Sequence, residues 1–262
     1  MSVIGSILGD IAGSQYEFEE CRPQNGIDWK NCELFTENCF FTDDTVQTVA
    51  LKYAIKNNIP YDQALMDFGK RYLYVGYGLN FRKWLSGDED RQTNSLGNGA
   101  AMRVSYIGEH FETLEDVCRE AEKATICTHN HPEAIKGAVS TATAVWMAKH
   151  GANKTDLFEF FLKQYPEEDY LYSISRPLKE YKESYHYDVT CQNSVPVAMR
   201  CFLESEDFES FLRLLLSFDC DMDTLGAIGG GVAEEYYGTT GMNNEELLKR
   251  YVDEYLHNII IQ

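Results

Sequence analysis

Apolar residues recur along this chain with the period of an α-helix, and no alternating run of five or more residues marks a strand. Val46, Val49, Ala50, Tyr53 and Ala54 follow Thr45 at helical spacing. Thr113 opens a second segment, with Asp116 three residues on as a capping pair and Leu114, Val117, Cys118 and Ala121 as its face. Pro132 stands where the first position of a long helix falls, ahead of Ile135, Ala138, Val139, Ala142, Val145 and Trp146. Further helices are predicted from Thr155, across residues 205–218, and along the tail through Leu247, Leu248, Tyr251, Val252, Tyr255, Leu256 and Ile259. Repeats, low-complexity stretches and Pro/Ser-rich linkers are absent. The expectation is one all-α domain over residues 1–262, built of many short helices. Residues 22–41 are polar and unpatterned and read as a long surface loop.

The chain is 44% hydrophobic and 25% charged, which excludes a disordered or collagen-like polymer. It carries 23 basic against 42 acidic residues, a net charge of −19. A field of that sign disfavours nucleic acid and anionic membrane as partners. The eight cysteines include no CxxC pair, so they read as free thiols in a reducing cytoplasm and not as a zinc site or disulfide framework. The N-terminus lacks a basic region, and Asp10 interrupts its apolar run, which argues against a signal peptide. No run approaches the ~18 apolar residues of a membrane span. With no long apolar surface stripe, a monomer is expected.

Two acidic clusters stand at predicted helix starts: Thr42-Asp43-Asp44-Thr45 and Asp219-Cys220-Asp221-Met222-Asp223-Thr224. One Asp or Thr at such a place is a helix cap. Two or three adjacent carboxylates repel one another, and a hard dication relieves that repulsion. Capping and metal binding both remain open from the residues alone. Gly5, Gly9, Ala12 and Gly13 recur at helical spacing and read as a close helix contact, with Glu17 a lone carboxylate beyond them. Residues 95–103, Ser-Leu-Gly-Asn-Gly-Ala-Ala-Met-Arg, form either an Asn-Gly turn or a backbone cradle for phosphate. Thr128-His129-Asn130-His131 offers two histidines that can cap the next helix or meet a ligand.

In this order the elements resemble the ADP-ribosylglycohydrolase family, which includes dinitrogenase-reductase-activating glycohydrolases and ADP-ribosyl hydrolases. The match runs through Gly9-Asp10-x-x-Gly13-x-x-x-Glu17, Thr42-Asp43-Asp44-Thr45, Gly97-Asn98-Gly99, Ala101-Met102-Arg103, Thr128-His129 and Asp221-x-Asp223-Thr224. The resemblance implies a compact, single-domain orthogonal helical bundle. It implies two Mg²⁺ or Mn²⁺ ions on Thr42, Asp43, Asp44, Asp221, Asp223 and Thr224. Glu17 and Asp44 are the implied candidates for acid–base work. Ser95, Gly97, Asn98 and Gly99 would hold the diphosphate and ribose, and His129 would lie near the distal part of ADP-ribose. The implied reaction is hydrolysis of the glycosidic bond joining ADP-ribose to a protein side chain or small molecule. A non-catalytic ADP-ribose or nucleotide-binding module is the alternative. An all-α phosphohydrolase is a distant third, because its His-Asp and Asp-Asp-x-x-Asp spacings are missing.

Two departures from the family pattern bear on substrate preference. Asp219-Cys220 stands where Gly-Gly usually precedes the second cluster, and Leu96 stands where relatives often carry an aromatic. Ligand contacts would then fall to the tyrosines around Tyr170, Tyr172, Tyr181, Tyr185 and Tyr187, although a core or surface role is the simpler reading of each.

Overall fold

Two helices without a solvent-facing side organise the chain: α1 (Ser2–Ser14) and α12 (Met222–Tyr237). From Val3 to Ser14 and from Met222 to Glu234 every residue is buried. Helices apolar all round belong at the centre of a core. The computed structural model describes residues 2–17, 27–87, 94–182 and 184–262. Among these residues it contains fourteen α-helices and no strand. Around the central pair lie α2 (Asp43–Asn57), α3 (Tyr61–Arg71), α4 (Leu79–Ser86), α5 (Ser105–His110), α6 (Leu114–Ile126) and α7 (Pro132–Lys149). They are followed by α8 (Lys154–Gln164), α9 (Leu178–Tyr181), α10 (Cys191–Glu204) and α11 (Phe208–Leu215), with α13 (Asn244–Tyr251) and α14 (Glu254–Ile260) closing the chain. One contiguous hydrophobic core joins them. Among the described residues no helix is long and apolar enough to cross a membrane. Cys32, Cys39, Cys118, Cys127, Cys191, Cys201 and Cys220 are free thiols, and Cys21 lies outside the described residues.

The glycine spacing noted in the sequence is the contact between α1 and α12. Gly9 lies against Gly226 so closely that a Cβ on Gly9 would sit 2.1 Å from the Gly226 carbonyl oxygen. Gly5 meets Gly230 in the same way, and Gly13 meets the backbone of Asp223. The partner numbers fall as the α1 numbers rise, so the helices run antiparallel. Each helical glycine costs about 0.5–1 kcal/mol relative to alanine, which the packing of two buried helices offsets. The contact sets the C-terminus of α1 beside the N-terminus of α12.

Helix starts follow the capping chemistry. Thr113 accepts from the Asp116 N–H at 3.1 Å, and His131 accepts from the Glu133 N–H at 3.1 Å with Pro132 in the first turn. Asn153 and Asp156 form a capping box, so α8 begins at Lys154, one residue before the predicted Thr155. The helix predicted over residues 205–218 is shorter, because Asp207 and Ser210 cap it at Phe208. The predicted tail helix breaks in two at Val252 and Asp253. Asp253 caps α14 through the Leu256 N–H at 3.0 Å, a local bond that competes with continued helix. The described part of the predicted long loop, residues 27–41, contains only turns and irregular backbone; residues 22–26 lie outside the described residues.

Candidate active site

Asp10 is the only charged residue of α1 and is fully buried. Its carboxylate holds the start of α2: Thr42 donates to it from its N–H (3.0 Å) and hydroxyl (2.7 Å), and Thr45 from its N–H (3.0 Å) and hydroxyl. Thr42 also caps α2 by accepting from the Asp44 N–H at 3.2 Å. The capping reading is therefore correct for Thr42. It fails at Asp221, which occupies the cap position of α12 but gives the helix no side-chain bond. The Asp221 carboxylate instead accepts from the Asn98 amide at 2.7 Å.

The N-termini of α2 and α12 meet here, joined by the Thr224 hydroxyl donating to Asp44 at 3.3 Å. Asp10, Asp44 and Asp223 bring one carboxylate oxygen each within 4.8 Å of one another. The chemistry of the three differs. Both Asp10 oxygens already accept hydrogen bonds, whereas Asp44 Oδ1 and Asp223 Oδ1 are buried without a partner. Buried carboxylate oxygens are costly to leave unpaired. Asp44 and Asp223 thus suit a ligand role, and Asp10 suits a role behind them, orienting Thr42 and Thr45. An all-oxygen set of this kind fits hard cations such as Mg²⁺ or Mn²⁺.

Electrostatics supports the same conclusion. Burial raises the Asp10 carboxyl to about 6 and, with the charges of Asp10, Glu17 and Asp221, raises Asp43 to about 8. Asp44 and Asp223 are pushed well above the ordinary carboxylate range, first by burial and then by neighbouring carboxylates. Burial also raises Glu17 and Asp221. A folded carboxyl raised above its unfolded value stabilises the fold below the unfolded pKa, and that contribution is lost as pH rises through the folded one. Metal-free protein is expected to lose thermal stability from about pH 4, through the Asp10 and Asp43 values near 6 and 8. A divalent cation at a hundredfold excess over its Kd contributes about 2.7 kcal/mol, or roughly 5–10 °C, with the larger gain at pH 8 than at pH 5. Thermal unfolding with EDTA or Mg²⁺ checks this, and an equal gain at both pH values would contradict it.

The carboxylates open into a cavity of about 470 Å³. Of the residues to which the resemblance gives site roles, Glu17, Asp43, Asp44, Ser95, Gly97, Asn98, Gly99, His129, Asp221, Asp223 and Thr224 line it, and Thr42 is buried and does not; His131 caps α7 instead. Two refinements follow. Both donors of the Asn98 amide are engaged, with Asp221 and with Ser194 (3.0 Å), so this side chain positions Asp221. His129 Nε2 lies over the glycine loop, 3.5 and 3.4 Å from where a Cβ on Gly97 or Gly99 would be. No lysine or arginine is among the described lining residues. An anionic ligand would depend on backbone N–H groups, the imidazole and bound cations.

Arg103 and Asp10 were not assigned site roles from the sequence. Fully buried, Arg103 donates to Gln47 (2.6 Å), to the Ala124 carbonyl (2.9 Å) and to the Thr128 hydroxyl (2.7 Å). Gln47 in turn donates to Asp43 at 2.8 Å, and Thr128 lies 2.8 Å from His129 Nδ1. These bonds link the carboxylate end of the cavity to the imidazole. Burial, with the Arg103 charge, lowers the His129 pKa to about 3, so the ring is neutral at physiological pH. Of the tyrosines raised by the sequence, Tyr187 lines the cavity. Tyr172 and Tyr185 are buried, Tyr170 bonds Glu133 at 2.9 Å, and the Tyr181 side chain lies outside the described residues.

Fold and site together define an all-helical protein with a buried carboxylate centre of the kind that holds hard cations. A family model for ADP-ribosylglycohydrolase matches residues 1–259, and the chain belongs to that family. Its curated relatives include ADP-ribosylhydrolase ARH3 of Mus musculus, 27% identical over 89% of this chain and 82% of that protein. ADP-ribosylhydrolase ARH3 of Homo sapiens is 25% identical over 89% of this chain and 84% of that protein. A solved structure titled ADP-ribosylglycohydrolase-related protein complex superposes with a TM-score of 0.71 at 23% identity, covering 99% of this chain and 94% of that one, and shares the fold.

Proposed function

We propose that the protein is a divalent-metal-dependent hydrolase that cleaves the glycosidic bond between ADP-ribose and a modified protein side chain or small molecule, releasing ADP-ribose. The observation that carries this reading is the pair of unpartnered oxygens, Asp44 Oδ1 and Asp223 Oδ1, in the carboxylate centre beside a cavity that also contains the 97–99 glycine loop and His129. Family membership and the ARH3 relatives support it. Thr42, Asp43, Asp44, Asp221, Asp223 and Thr224 would hold two Mg²⁺ or Mn²⁺ ions. When bound, such ions fix the sugar hydroxyls and stabilise charge developing at the anomeric carbon.

The chain's own groups divide the remaining work. The Asn98 N–H is engaged by the Val189 carbonyl and the Gly97 N–H by the Ser95 hydroxyl, so the open surface of the 97–99 glycine loop, Ser95 and the neutral His129 ring are the groups left to bind the diphosphate and the distal part of ADP-ribose. Asn98 holds Asp221 in place, and Asp10 holds Thr42. Glu17 lines the cavity outside the Asp10–Asp44–Asp223 trio, and burial raises its carboxyl. A raised carboxyl that is not occupied as a ligand suits proton transfer to the leaving atom or from the attacking water. Asp44, with its unpartnered oxygen, is assigned to metal binding ahead of acid–base work.

Release of free ADP-ribose from Arg-, Ser- and O-acetyl-linked substrates, with Mg²⁺ and with EDTA, tests the reading. Metal-dependent release from one linkage is expected. Glu17→Gln should lower kcat by about 10²–10⁴-fold and leave ADP-ribose binding intact. Tight ADP-ribose binding by the folded protein with no release from any linkage would point to a binding module instead.

A further inference from the structure

The segment that carries Tyr187 is fixed to the glycine loop. Asn98 donates its N–H to the Val189 carbonyl at 2.8 Å, Cys191 donates to the Leu96 carbonyl at 2.9 Å, and Gly97 and Thr190 form an isolated antiparallel bridge. Asp188 closes the turn, accepting from the Thr190 N–H at 2.7 Å and the Asn193 amide at 2.9 Å. The other side of the segment is held by Asp219, whose carboxylate accepts the Tyr187 N–H at 3.3 Å. Tyr187 lines the cavity, and its segment is paired with Asn98, whose amide holds Asp221 at 2.7 Å. The half-buried Tyr187 ring is therefore held at the carboxylate end, where a bound sugar would meet the cations.

We propose that Tyr187 is the ring against which that sugar packs, and that Asp219 is its positioning residue. The inference rests on the proposed function. A pentose presents an apolar C–H face, and an aromatic wall binds such a face at little entropic cost. The cavity's described lining has no cationic side chain to compete for the sugar. Asp219 stands where the resemblance noted above usually has glycine, and glycine has no side chain to accept the Tyr187 N–H. The residue that departs from the pattern is thus the one that grips the ring-bearing segment.

Calorimetric binding of ADP-ribose and of ADP in Mg²⁺, with thermal unfolding to confirm each fold, tests this. Tyr187→Ala should weaken ADP-ribose roughly tenfold and ADP less than twofold, because ADP lacks the distal sugar. Tyr187→Phe, which keeps the ring, should stay within about threefold of the parent for ADP-ribose. Asp219→Ala should weaken ADP-ribose selectively, and Asp219→Asn, which retains an acceptor oxygen, should restore it. The proposal is overturned if Tyr187→Phe loses as much as Tyr187→Ala, if both ligands weaken equally or neither does, or if Asp219→Asn behaves like Asp219→Ala. A folded parent protein that does not bind ADP-ribose at all would overturn the proposed function, and this inference with it.

Discussion

Asp44→Asn and Asp223→Asn are expected to lower turnover by at least a hundredfold and, in the same protein, to raise the melting temperature measured in EDTA. The two effects share one cause. Each aspartate is buried, each has an oxygen with no partner, and each is pushed toward its neutral form by burial and by neighbouring carboxylates. An amide of the same shape removes a repelling charge from the metal-free fold, and it removes the charge a cation would meet. Loss of even an outer-shell metal contact costs about 10–100-fold, so loss of a direct ligand should cost more. Asp10→Ala provides the contrast. Asp10 accepts the N–H and hydroxyl donors of Thr42 and Thr45, and deleting it orphans them at about 1–3 kcal/mol per buried group. Its melting temperature should fall in EDTA while that of Asp44→Asn rises. Steady-state kinetics with thermal unfolding in EDTA and in Mg²⁺ reads both effects. Near-normal turnover in either asparagine variant would remove that residue from the ligand set. A fall in the melting temperature of Asp44→Asn would show that its carboxylate stabilises the fold by a route other than metal binding.

Much of this site could be read in the sequence because its parts are local. The Thr42-Asp43-Asp44-Thr45 and Asp221-x-Asp223-Thr224 clusters each lie on one helix entry, so short-range spacing already places their side chains together. The 5, 9, 13 spacing signalled a close helix contact for the same reason, although its partners at 226 and 230 could be found only in the fold. Residues whose roles depend on distant partners were not legible. Asp10 was read as an interruption in an apolar run, and its function depends on Thr42 and Thr45 more than thirty positions away. Arg103 is a lone charge among Ala100, Ala101, Met102 and Val104, a signal that a buried partner must exist, but nothing local shows that Gln47 and Thr128 are the partners. Tyr187 could not be separated from its tyrosine neighbours because its loop is set by pairing with residues 96–98. The tail shows a different failure. Its apolar period is continuous through Val252, and the Asp253 cap prevailed over the period.

Gly9→Ala and Gly226→Ala are each expected to destabilise the fold by about 2–4 kcal/mol, and the double variant by little more than one of them. Alanine is favoured over glycine in a helix by nearly 1 kcal/mol, so propensity alone predicts the opposite sign. Sterics decides the outcome. A Cβ on Gly9 would lie 2.1 Å from the Gly226 carbonyl oxygen, and a Cβ on Gly226 would lie 2.5 Å from the Gly9 carbonyl oxygen. Both obstacles are backbone, so no side chain can move aside, and the helices must part. Once one methyl has parted them, the second enters space already opened, which is why the costs should not add. The separation also reaches the chemistry, because Asp10 is on α1 and Asp223 is on α12. Gly13 tests that link most directly, since its Cβ would fall 2.2 Å from the Asp223 backbone nitrogen. In a Gly5→Ala, Gly9→Ala, Gly13→Ala series, the rise in melting temperature that Mg²⁺ gives should diminish toward Gly13. Full additivity of Gly9→Ala and Gly226→Ala would mean that the helices do not separate as a unit. An unchanged Mg²⁺ response in Gly13→Ala would mean that the α1–α12 contact supports the core without setting the spacing of the carboxylates.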